Sequence, residues 1–168
     1  MYSLVILFVF LQALGAFTGA FATIWAELAY IRAMRDGKVD RAERTHLDAI
    51  ATGLRFGMTL ILLASLGLVI LAYVSDPGVQ PGFSQSYWTL MLLSLLIVWV
   101  SWALSRKRVS FAYGSAIAFS AWWFLAYATL GWLPLLSFGA VLASFVVVTG
   151  IFFVLLQLLR TISLRSRK

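Results

Sequence analysis

The chain has 168 residues, of which 62% are hydrophobic and 11% charged, against about 45–50% apolar and about 25% charged in an ordinary soluble domain. One small core cannot hide so much apolar surface from water, so a lipid bilayer is the natural solvent. The net charge of +7 comes from 13 Lys and Arg against 6 Asp and Glu, and the lack of cysteine excludes disulfides, thiolate metal sites and cysteine nucleophiles.

A helix crosses a bilayer core with about 20 mostly apolar residues. The first such span runs from about 3 to 30. Its opening segment ends in Ala20-Phe21-Ala22, which resembles a signal-peptidase site. It lacks the positively charged start of a signal peptide, so it reads as a span. A polar stretch at about 31–56 follows, then a second span at about 57–74. "SDPGVQPG" (75–82) carries turn chemistry and ends it. The third span is about 87–104 and the fourth about 111–130, joined by the charged "SRKRVS" (105–110). "GWLP" (131–134) turns into the fifth span, about 133–159, with Pro134 suited to a first helical turn. The expected fold is all-α: a single transmembrane domain over 1–168, built as a five-helix bundle.

The charges orient it. Arg32, Arg35, Lys38, Arg41, Arg44 and Arg55 surround the first connection. Arg106, Lys107 and Arg108 fill the third, and Arg160, Arg165, Arg167 and Lys168 form the tail. Five spans place these three regions on one face, while the other face carries only Asp76. The positive-inside rule makes the basic face cytoplasmic, with the N-terminus outside and the C-terminus inside. This use of the charge leaves nucleic-acid binding without support. Tyr73, Tyr87, Trp88 and Trp132 at the outer ends, and Tyr30, Trp102 and Tyr113 at the inner ends, suit an interfacial aromatic belt. Trp122 and Trp123 lie deeper and read as packing residues.

"DGKVDRAE" (36–43) has the look of half a calcium loop. With Gly37 at position 6 of an EF-hand, Asp36, Asp40 and Glu43 fall at positions 5, 9 and 12. Positions 1 and 3 are then Arg32 and Met34, whose side chains cannot bind a hard cation. The helical-hairpin reading uses every residue: Gly37 as a left-handed C′ residue, Asp40 as the next N-cap, and Glu43 at N3 of a capping pattern. From Arg41 to Arg55 the polar residues recur at helical spacing opposite Leu47, Ile50 and Leu54. An extended cytoplasmic hairpin is expected.

Polar residues within spans are expensive and are the first functional candidates. On a helical wheel Gln12, Ala16, Gly19, Thr23, Glu27 and Tyr30 share one face of the first helix. "GAFTG" gives Gly15 and Gly19 the spacing of close helix packing. Glu27 is the one acidic residue in the five spans. Its expected partner is Arg55: at 1.5 Å per residue they lie about 15 Å and about 22 Å from the turn, and a long Arg can snorkel back. The stripe serves either packing or a water-filled path.

His46 is the single histidine, so bis-histidine haem ligation within the membrane is impossible for one chain. No catalytic set, metal cluster or phosphate loop is present in the sequence. No enzyme activity, metal or cofactor is expected.

"LQALG" (11–15) and "DGKVDRAE" together resemble small uncharacterised bacterial multi-span membrane proteins with an LHxLG-like first helix and a DGxIDxxE turn. The first helix is also similar to copper-resistance-type and haem-type membrane domains, in which the motif histidine matters. Gln12 stands at that position here. The resemblance covers about a fifth of the chain and implies a bacterial inner (plasma) membrane and no activity. The expected function is that of a non-enzymatic structural or accessory subunit, with lipid, a second copy or another membrane protein as partner. The alternative is a small oligomeric transporter or channel using the stripe around Glu27.

Overall fold

Leu, Ile, Val, Phe and Ala dominate the long runs, and Pro77 and Pro81 fall in the sequence between the second and the third. The computed structural model describes residues 2–36, 41–75, 85–131 and 137–165. They form α1 (Tyr2–Asp36), α2 (Arg41–Ser75), α3 (Gln85–Ser105), α4 (Phe111–Thr129) and α5 (Phe138–Arg165). The chain is an all-α, multi-span membrane bundle. Four of the described helices are long and apolar enough to cross a bilayer: Tyr2–Ala33, Ala51–Ser75, Tyr87–Ser105 and Phe138–Ile162. These overlap four expected spans, with the second beginning earlier and the last shifted towards the C-terminus.

The fourth expected span forms the 19-residue helix α4, which is rich in apolar residues but is not among those four. α4 packs on α1, α3 and α5 at once, so its surroundings are largely protein. Ser120, Ala121, Trp122 and Leu125 on it are buried. The other helices turn large apolar side chains outward, among them Leu63, Leu95, Val146 and Ile151. Such surfaces are stable only against lipid or another apolar partner.

α1 and α2 each have 35 residues. At 1.5 Å per residue each is about 52 Å long, well beyond a hydrocarbon core of about 30 Å. They pack antiparallel along their length. Gly15 faces Gly57 and Ile61, and Gln12 meets Ser65. The reading of Asp36, Gly37, Asp40 and Glu43 as caps or as a calcium loop rests on the 37–40 connection and on side chains at 36 and 43. It lies outside the described residues.

α4 runs antiparallel to α1, since Tyr30 stacks on Phe111 and Gly19 faces Trp122. α5 runs antiparallel to α4, as Phe124–Phe145 and Phe119–Phe152 contacts require. Gly114 faces Leu104, so α3 also runs antiparallel to α4, and together these contacts gather the C-terminal ends of α1, α3 and α5 and the N-terminal end of α4 at one end of the bundle.

Candidate functional site

Glu27 and Tyr30 are three apart on α1, so they share a face; Phe111 and Ser115, four apart, share a face of α4. The antiparallel register sets Tyr30 against Phe111, with ring centroids 3.9 Å apart. It also brings Glu27 and Ser115 to the same depth. Arg160 of α5 enters between them. Its Nη2 donates to both Glu27 oxygens, Oε1 at 2.9 Å and Oε2 at 2.7 Å, and to Ser115 Oγ at 2.8 Å. Its guanidinium carbon lies 5.0 Å from the Tyr30 ring centre and 5.5 Å from that of Phe111, within cation–π range. Both charged residues are only 6% exposed. The Arg160 Nε is buried without a hydrogen-bond partner.

The partner of Glu27 is therefore Arg160 and not Arg55. Gly53 on α2 faces Ala22, and Gly57 lies beside Gly19. That register places Arg55 about two turns of α1 away from Glu27, towards the middle of the bundle. Arg55 is also exposed on the outside. The depth difference expected from the turn is real, but the side chain faces the wrong way to close it. Arg160 was hidden in sequence because it directly follows an apolar run and reads as the first charge of a basic tail. One signal was available: Thr161-Ile162-Ser163-Leu164 separates it from Arg165, so it stands a full turn inside the tail.

The stripe on α1 is not a continuous polar lining. Gln12 Nε2 donates to Ser65 Oγ at 2.8 Å, and that hydroxyl donates to the Ile61 carbonyl at 2.6 Å. Thr23 Oγ1 donates to the carbonyl of Ala20 at 2.7 Å, so it is satisfied within its own helix. Between these levels the Trp122 indole lies against Gly19, so close that a Cβ there would clash with ring carbons Cε3, Cζ3 and Cδ2. At Gly15 a Cβ would lie 2.7 Å from the Gly57 carbonyl oxygen. Gly15 and Gly19 thus let a backbone and an indole seal the stripe. Trp122, 1% exposed, is a packing residue at the centre of the core.

The site is a charge-neutral cluster that ties α1, α4 and α5. Among the described residues no three His, Asp or Glu side chains stand close enough to share a metal ion. The chain matches no protein-family model, no curated protein and no solved structure.

Proposed function

We propose that the chain is a structural or accessory subunit of a membrane assembly in a bacterial inner membrane, with its basic end in the cytoplasm. The observation that supports this most is the filling of the α1 stripe by Trp122 and Gly57. A path for solute or ions along α1 would need open space at those levels, and they are packed. The likeness of "LQALG" and "DGKVDRAE" to bacterial multi-span proteins supports the setting. Transport remains the second reading, because a charged pair buried in a membrane bundle is costly and marks many ion pathways.

Two experiments test the proposal. The chain has no cysteine, so single cysteines report topology cleanly. Ser105→Cys should react with a membrane-impermeant maleimide only after the cytoplasmic face is opened, and Ser75→Cys should react in intact spheroplasts. The reverse pattern rejects the orientation. For function, purified protein in liposomes should give no ion flux above empty vesicles. Native mass spectrometry of gently released protein should find it with another polypeptide. A closed oligomer of this chain, with flux that Glu27→Gln abolishes, would establish the transport reading instead.

A further inference from the structure

The turn between α3 and α4 is a fixed structure carrying three consecutive cations. The Lys107 amide donates to the Leu104 carbonyl at 3.0 Å, and the Arg108 amide to that of Ala103 at 2.9 Å. This pair of bonds is the Schellman ending of a helix, with Lys107 at C′. Lys107 has φ +54°, the left-handed region where glycine is the usual choice and a side chain is strained. A positive charge therefore occupies a position where the backbone alone favours glycine.

The neighbouring side chains are also held. The Arg108 guanidinium lies 4.8 Å from the Trp102 ring centre and that of Arg106 lies 5.8 Å away. One indole thus gathers two cations. Arg106, Lys107 and Arg108 are all exposed, and no described carboxylate pairs with them. Trp102 is 43% exposed. Cations held over an exposed indole, at the end of an apolar helix, match the layering of a phospholipid headgroup over its glycerol and upper acyl carbons.

We propose that Arg106, Lys107, Arg108 and Trp102 form a binding site for the headgroup of an anionic phospholipid. The three cations meet the negatively charged phosphate, and Trp102 contacts the region below. The site is independent of whether the bundle is accessory or transporting.

The test is native mass spectrometry of the full chain in detergent, titrated with phosphatidylglycerol or with phosphatidylcholine of the same acyl chains. The wild type should retain phosphatidylglycerol in strong preference. At about 1 kcal/mol per cation near a membrane surface, replacing all three by glutamine should reduce that preference about a hundredfold, and Lys107→Gly about fivefold. Lys107→Gly is the decisive variant, because glycine relieves the left-handed backbone: it should weaken lipid binding without lowering the melting temperature. The double variant Arg32→Gln/Arg55→Gln removes two exposed charges elsewhere and should keep the preference. Equal binding of both lipids by the wild type, or an equal loss in that double variant, would overturn the site. Displacement of the lipid by millimolar inorganic phosphate would assign it to a free anion and overturn the lipid.

Discussion

Arg160→Leu is expected to lose about 3–5 kcal/mol of stability, because it strands a buried carboxylate. Glu27 is 6% exposed and both of its oxygens take their bonds from Arg160 Nη2. Nothing else among the described residues brings a positive charge to it. Glu27→Leu strands the guanidinium in turn, although Ser115 and the two aromatic rings still surround it. The double variant Glu27→Leu/Arg160→Leu should recover most of either loss, since well-packed apolar side chains often replace a buried pair at no cost. Thermal unfolding of the four proteins in one detergent closes this cycle. Arg55→Leu serves as the comparison and should change stability by less than about 0.5 kcal/mol, as an exposed charge outside the pair. If Arg55→Leu proved as damaging as Arg160→Leu, the assignment of the partner would be wrong.

The second large effect concerns the glycines of α1. Gly19→Ala and Gly15→Ala should each cost about 1–3 kcal/mol through overpacking, against a helix preference for alanine of up to about 1 kcal/mol. The two differ in what they strike. At Gly19 the obstacle is the Trp122 indole, a side chain; at Gly15 it is the Gly57 carbonyl, part of the α2 backbone. Combining each with Trp122→Leu separates them. The smaller side chain leaves a cavity and is destabilising by itself, so it should do less harm in combination with Gly19→Ala than it does alone. It should bring no relief to Gly15→Ala, for which α2 itself must move. Gly139→Ala and Gly150→Ala, where a Cβ meets nothing within 4 Å, should be neutral or slightly stabilising. A Trp122→Leu that rescued both α1 substitutions equally would show that the indole is not the specific obstacle.

The all-helical, multi-span architecture and the membrane solvent are legible in the sequence because each depends on local composition. Apolar runs of bilayer length, prolines between them and charge at their ends suffice. The small face of α1 was legible too, since Gly15 and Gly19 repeat at helical spacing. What the spacing could not tell is what fills that face. Trp122 stands more than a hundred residues away on a helix whose lateral neighbours no local pattern specifies. The same limit hid Arg160. Glu27 was recognisable as an expensive charge in need of a partner, and the nearest candidate along the chain was Arg55. The real partner depends on α5 lying against both α1 and α4, which is a matter of bundle arrangement. Sequence distance favoured Arg55, and the register of Gly53 on Ala22 excluded it.

The span of the Glu27–Arg160 pair also bears on how the protein is made. The partners are 133 residues apart, and a ribosome adds about 5–20 residues each second. The first helix therefore waits on the order of 7–27 s for its counter-charge to be synthesised. Until then the carboxylate must be served by interfacial water or by the insertion machinery, and its place near the end of α1 keeps it within reach of both. Arrival of α5 is what allows that end of the bundle to dry and close. A chain interrupted before Arg160 carries an unanswered charge in its first helix, which marks it physically as unfinished.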